Sequence, residues 1–331
     1  MTTRLSSIKA RSFIAFFALF TFFISCKCDH SNNPPPDRRQ KNASKVWVLV
    51  HGLGSSAAAL KNFTDKLNQA LPDDTKVVAL TRDRTFEDSI EEQAKKTLQK
   101  IKDEGLIGKI EGKTIKGVIG HSAGGLVVHK VAELLKKEEG KETKVITIGT
   151  PWEGASLANL SQQDLANKFL DHAYLNPIIN VLASSGIDLK QKIKNNLPLL
   201  NGGQGVDDIK PGSTYLAKVA RELPSNQIPI LAIAGSGGNF LQFLTAYLGI
   251  QLPPGFSVNM GIVDQEFAKL IGGGREENHD TIVTVKSQRA DSIKAKNFKR
   301  KTIAAGLNHA AETLGDNEGL IKEVTNFILK E

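Results

Sequence analysis

The sequence predicts an α/β fold with a doubly wound, mostly parallel β-sheet and a helical insertion. Short runs of consecutive apolar residues alternate along the chain with longer stretches in which apolar residues recur every three or four positions. The short runs are typical of strands that helices cover on both faces, and the longer stretches are typical of amphipathic helices. Strands and helices in alternation build a parallel sheet with helices on both sides.

Six apolar runs are predicted to be strands. They cover residues 46–50, 76–80, 115–119, 145–148, 228–234 and 281–285. Helices are predicted between several of these strands, over residues 57–71, 86–101 and 123–137.

The alternation of strand and helix is interrupted twice. Residues 155–226 are mostly helix-like with several glycines, and residues 239–274 are largely apolar and end in three consecutive glycines. Connections this long inside a compact domain are usually functional, and in such sheets insertions at the carboxyl edge lie over the ligand site. We interpret them as a lid and a second flap; the alternative is helices that only pack on the scaffold.

The N-terminal segment predicts export. Arg4, Lys9 and Arg11 precede an apolar run over residues 13–24. A membrane-spanning helix needs about 20 apolar residues, so this run suits the central part of an export signal over residues 1–25.

Cys26 directly follows the apolar run and Ser25. This arrangement resembles the lipobox of bacterial lipoproteins, in which the cysteine becomes the first mature residue and receives lipid, although Phe23 stands where leucine is usual. Residues 26–44 are polar with three consecutive prolines, which predicts a flexible tether before a domain over residues 45–331. We therefore expect a lipoprotein anchored in the bacterial cell envelope; a secreted protein or an uncleaved anchor is the alternative.

Composition and motifs give no support for several classes of partner and cofactor. The formal net charge is +8, but there is no dense run of Lys and Arg interleaved with aromatic residues, so no nucleic-acid partner is predicted. The only cysteines are Cys26 and Cys28, which leaves the body without a thiolate metal site. No zinc, P-loop or dinucleotide motif occurs, so neither a metal nor a cofactor is expected. The oligomeric state is left open.

The segment GHSAGG at residues 120–125 carries the clearest chemistry. It follows a predicted strand and precedes a predicted helix, which is the strand–turn–helix context of the G-x-S-x-G motif. A strained turn there lifts a serine hydroxyl into a site, and the flanking glycines avoid collisions with strand and helix. The pattern predicts Ser122 as a nucleophile and places the Ala123 N–H at a helix N-terminus, facing a developing oxyanion. The alternative is a tight turn in a non-catalytic protein.

The segment HGLG at residues 51–54 follows the first predicted strand. Together with the GHSAGG turn it resembles the lipases and esterases of the α/β-hydrolase superfamily, whose HG dipeptide opens the oxyanion loop. The resemblance implies that the N–H of Leu53 is a second oxyanion donor beside that of Ala123. His51 itself is predicted to be a buried structural histidine.

A nucleophilic serine needs a base, and the base needs an orienting carboxylate. In this fold their order along the chain is Ser, then Asp or Glu, then His. By position His279 and His309 remain as bases, and His309 stands in a loop near the C-terminus, where the related lipases place their catalytic histidine. Asp280 begins DTIVTVKS, which resembles the lipase segment D-G-x-V-x-x-x-S, with Thr281 where glycine is usual. The resemblance implies a Ser122–Asp280–His309 triad.

Two further segments extend the resemblance. Residues 149–154 resemble the lipase stretch G-T-P-H-x-G with Trp152 for the histidine, and residues 208–216 resemble D-L-x-P-G-S-x-F-L. The implied activity is hydrolysis of a carboxylic ester, of a lipid or another acyl ester, through an acyl-Ser122 intermediate and without a cofactor. The alternatives are a thioesterase or deacylase acting on lipidated protein, and a non-catalytic surface lipoprotein that uses the fold as a binding module.

Overall fold

A computed structural model describes residues 43–106, 114–161, 170, 173–196, 202–252, 260–303 and 307–330. The predicted export signal, Cys26 and the tether up to residue 42 lie outside these residues. In the part that is described, no helix is long and apolar enough to span a membrane.

The described residues contain six strands, namely β1 (Lys45–Val50), β2 (Thr75–Leu80), β3 (Thr114–His121), β4 (Lys144–Ile148), β5 (Ile230–Gly235) and β6 (Phe298–Ile303). These strands are parallel and form one sheet in the order β2-β1-β3-β4-β5-β6. The chain moves to one side of β1 with β2 and then crosses to the other side with β3. The carboxyl ends of β1 and β3 therefore flank the switch point of the sheet, which is where α/β sheets bind ligands.

Eleven α-helices are described. They are α1 (Lys61–Ala70), α2 (Ile90–Asp103), α3 (Ala123–Glu139), α4 (Asn176–Ser184), α5 (Leu189–Asn196), α6 (Gln204–Asp208), α7 (Thr214–Glu222), α8 (Phe240–Leu248), α9 (Met260–Ile271), α10 (Val285–Arg289) and α11 (Glu318–Leu329). Short 3₁₀ turns cover Ala58–Leu60, Ser156–Asn159, Ala173–Leu175 and Ala311–Thr313.

The central strands are apolar throughout because both faces of the sheet are covered. In β1 the side chain of Val48 packs into one core with α2 and α3, whereas Leu49 packs into a second core with α1 and α11. Both side chains are fully buried. Alternating directions along a strand thus fill two separate cores, and the predicted doubly wound parallel sheet is confirmed.

The prediction of a strand over residues 281–285 was wrong. The carboxylate of Asp280 accepts hydrogen bonds from the N–H groups of Ile282 and Val283, at 2.9 and 2.8 Å, which folds the segment into a turn that leads into α10. The sixth strand is instead β6, whose sequence FKRKTI has few apolar residues. As the last strand of the sheet it is largely exposed, so its sequence lacks the apolar run that marks the inner strands.

The two insertions consist mainly of helices. The described residues of the first form α4 to α7, and those of the second form α8 and α9. A small apolar cavity lies between them; its walls come from both insertions, namely Leu170, Leu189, Ile193, Phe240, Phe243, Leu244, Leu248, Phe267 and Leu270. Whether these helices act as a lid and flap stays a prediction.

Candidate active site

Ser122 lies on the turn between β3 and α3. Its backbone φ of 55° and ψ of −137° are a strained combination for a residue with a side chain. The strain is held by neighbouring main chain, because the Ser122 N–H donates to the carbonyl of Ile148 at 2.8 Å. Gly52 comes so close that a Cβ on it would stand 2.6 Å from the Ser122 Cβ. A glycine is therefore required at residue 52, where the loop after β1 packs against this serine.

Leu53 and Ala123 lie on the two segments that meet at this point. Ala123 is the first residue of α3, so its N–H belongs to the helix-terminal groups without an intrahelical acceptor. Leu53 follows Gly52 on the loop after β1, and the next N–H, that of Gly54, donates to Thr85 Oγ1 at 2.9 Å. The two predicted donors are thus carried by neighbouring turns at the switch point.

The loop after β1 is held by the buried Arg82. Its guanidinium donates to the carbonyl oxygens of His51 and Gly52, and its main-chain N–H donates to His51 Nε2 at 2.8 Å. Burial lowers the pKa of Arg82 to about 9, and burial together with the Arg82 charge lowers the pKa of His51 to about 4. His51 is therefore a neutral residue that maintains the loop, in line with its predicted structural role.

His309 and Asp280 are brought together across 29 residues of sequence. His309 Nδ1 donates to Asp280 Oδ2 at 2.7 Å, and the His309 main-chain N–H donates to the Asp280 carbonyl at 2.6 Å. Both side chains are buried. The bond to Asp280 fixes the proton on Nδ1 and leaves Nε2 of the ring as the basic nitrogen. In His279, by contrast, Nδ1 accepts the Thr281 N–H at 3.0 Å.

The predicted nucleophile and base are connected through His121, the residue before Ser122. His121 Nε2 donates to the His309 carbonyl at 3.1 Å, and the two imidazole rings lie 4.7 Å apart between centroids. Burial lowers the pKa of His121 well below its usual value, so this ring is neutral. Sequence reasoning did not assign a role to His121.

Glu312 is a second residue that sequence reasoning missed. Its carboxyl is fully buried, and Oε2 lies 3.1 Å from His121 Nε2 and 3.5 Å from His309 Nδ1. The only signal in the sequence is the spacing His-x-x-Glu, which places both residues on one short turn.

The side chains of His121, His309 and Glu312 are also the types that bind metals, and among the described residues they form the one cluster of this kind. His121 Nε2 is hydrogen-bonded to Glu312 Oε2, and His309 Nδ1 lies 3.5 Å from the same oxygen.

Thr281 has a φ of 94°, in the region that favours glycine. The similar lipase segment has glycine at this position. The threonine that replaces it here is therefore a strained residue next to Asp280. We expect Thr281→Gly to be more stable than Thr281→Ala by about 1 kcal/mol, because both variants lose the same side-chain contacts and only glycine relieves the strain. Urea unfolding measures the difference.

The matched control is the same pair at the exposed Lys322, inside α11. There alanine should be the more stable by about 1 kcal/mol, because glycine is unfavourable inside helices. An alanine variant at residue 281 as stable as the glycine variant would show that the turn stores no strain.

One family profile matches the chain. The profile of a family described as "Domain of unknown function (DUF7379)" matches residues 24–236. A search of curated proteins gave no match.

Among solved structures, the chain is similar to the mature lipase BlEst2 of Bacillus licheniformis, with 16% identity and a TM-score of 0.50 over 90% of this chain and 95% of that chain. It is also similar to the RedJ thioesterase of the prodiginine pathway of Streptomyces coelicolor (14% identity, TM-score 0.47, 89% and 90% of the two chains). A third similar structure is a thermophilic esterase from Thermogutta terrifontis (14% identity, TM-score 0.45, 87% and 91%). At these identities the likeness to BlEst2 concerns the fold, and the fold is that of the α/β-hydrolases.

Proposed function

We propose that this chain, which belongs to the family described as a domain of unknown function (DUF7379), is a serine hydrolase that cleaves carboxylic esters through an acyl-Ser122 intermediate. One observation carries the proposal: a buried His309–Asp280 pair is hydrogen-bonded at 2.7 Å and is tied by His121 to the strained turn of Ser122. A buried carboxylate on one imidazole nitrogen next to a serine on such a turn is the arrangement that acyl transfer requires.

The same groups act in the acylation and the deacylation half of the reaction. Ser122 Oγ attacks the ester carbonyl while His309 Nε2 takes the hydroxyl proton. The N–H groups of Leu53 and Ala123 donate to the oxyanion, and the collapse of the intermediate breaks the bond to the alkoxide, which receives the proton from His309. Water then attacks the acyl-Ser122 ester by the same steps and releases the acid. Asp280 holds the imidazole in its tautomer and stabilises its cation.

The experiment is covalent labelling. The soluble body, residues 43–331, is treated with a fluorophosphonate probe and digested, and the labelled residue is identified by mass spectrometry. We expect the label on Ser122 and hydrolysis of p-nitrophenyl esters by the same preparation. A parallel series of S-acyl thioesters tests the thioesterase alternative. A folded protein with neither label nor turnover, with or without detergent, would contradict the proposal and favour a binding module.

For the substrate we propose an ester with an acyl chain. The cavity between the insertions is entirely apolar in its lining. Phe267, one of its walls, packs edge-on against His279 at 5.4 Å between ring centroids, and His279 immediately precedes Asp280. Phe267 therefore connects one wall of the cavity to the turn that carries the proposed acid. The cavity is only about 10 Å³ in this structure, so an acyl chain enters it only if the two insertions separate, and their apolar side chains then favour a hydrocarbon chain over a polar acid portion.

Filling this cavity should change the preference for acyl length. In Leu244→Trp the larger side chain occupies the cavity, so we expect kcat/KM for a laurate ester to fall about tenfold more than for a butyrate ester. Leu241→Trp is the matched control, because Leu241 lies on the same helix with its side chain exposed. Equal losses for both esters in Leu244→Trp would show that the acyl chain lies elsewhere.

We also propose that Cys26 carries lipid and holds the protein at the bacterial envelope, with the tether separating the domain from the membrane. The sequence order of basic residues, apolar run and cysteine supports this proposal. We expect Cys26→Ala to move the protein from the membrane fraction to the soluble fraction of a bacterial host. Cys28→Ala is the control and should stay with the membrane. Membrane association that survives in Cys26→Ala would favour an uncleaved anchor.

A further inference from the structure

Glu312 is a buried acid that the proposed reaction does not use. It lies on the 3₁₀ turn Ala311–Thr313, three residues after His309, and its side chain has no exposed surface. Most buried carboxyl groups are paired with a cation or ligate a metal. The two side chains that contact the Glu312 carboxyl at 3.1 and 3.5 Å are the imidazoles of His121 and His309.

We propose that Glu312 is a positioning residue for His309 and works as a neutral carboxylic acid. It holds the His309 ring and main chain in place through direct contact and through His121, and it adds no second negative charge beside the base. This inference rests on the proposed function, since it assigns Glu312 a part in preparing the same histidine.

The contacts of His309 explain the positioning. Its main-chain N–H donates to the Asp280 carbonyl at 2.6 Å, and its carbonyl accepts from His121 Nε2 at 3.1 Å. The same Nε2–H is shared with Glu312 Oε2. Glu312 therefore orients the ring of His121, and that ring connects the Ser122 turn to the His309 loop. Removing the carboxyl would weaken this connection, and the His309 loop would be held less firmly against the Ser122 turn.

Two glycines at the carboxyl edge of the sheet leave room for the Glu312 carboxyl. A Cβ on Gly149, just after β4, would stand 2.9 Å from the Glu312 Cδ, and one on Gly235, at the end of β5, would stand 3.3 Å from it. Side chains at either place would collide with the carboxyl. The carboxyl thus fills a space between β4, β5 and the His309 loop, and this space fixes its orientation.

The hydrogen bonds indicate which of the two carboxyl groups, Asp280 or Glu312, carries the negative charge. Asp280 accepts two main-chain N–H groups on Oδ1 and the His309 Nδ1–H on Oδ2, which are the contacts that an ionised carboxylate needs. Oε1 of Glu312 is buried without a hydrogen-bond partner among the described residues. The negative charge is therefore more stable on Asp280. Burial and the Asp280 charge raise the pKa of Glu312 well above its usual value, in agreement with this division.

Four ionisable groups from the surrounding elements lie near Glu312 and interact with it. His121 comes from the end of β3, Asp280 from the loop before α10, His309 from the same turn as Glu312, and the Tyr247 hydroxyl from α8. Burial lowers the pKa of His121 and raises the pKa of Tyr247, so this imidazole and this phenol are neutral and neither supplies a positive charge that would stabilise an anion at Glu312.

The test compares Glu312→Gln, Glu312→Met and the control Glu318→Gln, an exposed glutamate on α11. For each protein we measure the pH dependence of ester hydrolysis and the rate of fluorophosphonate labelling. Gln keeps one hydrogen-bond acceptor and one donor without charge, so we expect kcat within about threefold of wild type. The acid limb of its pH profile should move by less than about 0.3 pH unit. Met keeps the length but makes no hydrogen bond, so kcat should fall about 10- to 100-fold with KM little changed, because the base is misplaced.

Two results would overturn the inference. An acid limb that moves by about one pH unit or more in Glu312→Gln would show that a charged carboxylate acts on the base. Wild-type kcat in Glu312→Met would show that the contact positions nothing. If Glu312→Met does not fold, Glu312→Ala, in which water can replace the carboxyl, is measured in its place.

A further readout separates this inference from the proposed function. The proton on His309 Nδ1 gives a far-downfield NMR resonance when its bond to Asp280 is short. We expect it in wild type and in Glu312→Gln, and we expect it to be lost or shifted in Glu312→Met. A protein that keeps this pattern but labels nowhere would contradict the serine hydrolase alone. A protein that labels at Ser122 with an unchanged resonance in every variant would contradict the role of Glu312 alone.

Discussion

Ser122→Ala is expected to lower kcat for the best ester about 10⁵-fold, because in the proposed mechanism the hydroxyl oxygen is the atom that forms the acyl-enzyme. The residual rate would come from ester binding and from the oxyanion donors. Substrate binding and fold should persist, since the Ser122 N–H, which donates to the Ile148 carbonyl, is unchanged. Steady-state kinetics, fluorophosphonate labelling and thermal unfolding measure the three properties.

The matched control is Ser225→Ala, at an exposed serine after α7. It should be labelled and should turn over ester as the wild type does. Turnover by Ser122→Ala within about tenfold of wild type would place the nucleophile elsewhere, and the labelled peptide of that variant would identify it.

Asp280→Asn is expected to cost about 10⁴-fold in kcat. The asparagine oxygen can still accept the N–H groups of Ile282 and Val283, so the turn is kept. Its amide group then faces His309 Nδ1 and donates to it, which moves the imidazole proton to Nε2. The nitrogen that should take the Ser122 proton is then already protonated.

Asp264→Asn is the control, because Asp264 is another carboxylate, on α9, whose oxygen accepts a main-chain N–H, that of Phe240 at 2.9 Å. It should leave kcat within about threefold of wild type. A loss of less than tenfold in Asp280→Asn would mean that Asp280 does not orient the base, and it would transfer that role to Glu312. Kinetics on the double variant with Glu312→Gln would then measure the coupling between the two carboxyl groups.

The inner strands could be predicted from the sequence because burial on both faces leaves a continuous apolar run, as in β1 and β3. The same rule failed at the edge. Strand β6 has neighbours on one side only and is mostly exposed, so its residues are polar, whereas the apolar residues at 281–285 form a turn around Asp280. Whether an apolar run becomes a strand depends on competing hydrogen-bond acceptors, and these are set by tertiary contacts.

The candidate site shows a similar division. The local pattern GHSAGG predicted Ser122 as the nucleophile, because a strained strand–turn–helix connection requires its glycines close by in the sequence. The resemblance to lipases predicted Asp280 and His309 as its partners, and it marked residue 281 as a place for glycine, where the structure has threonine at a φ of 94°. Glu312 could not be identified, because nothing local distinguishes a buried glutamate from an exposed one.

The sequence by itself determined the class of fold and the position of the nucleophile turn, because burial and backbone strain impose residue types at fixed spacing. Only the tertiary structure brought a second acid, Glu312, to the pair formed by His309 and Asp280. The pKa of Glu312 is raised by burial and by the Asp280 charge, and both of these arise only in the folded chain.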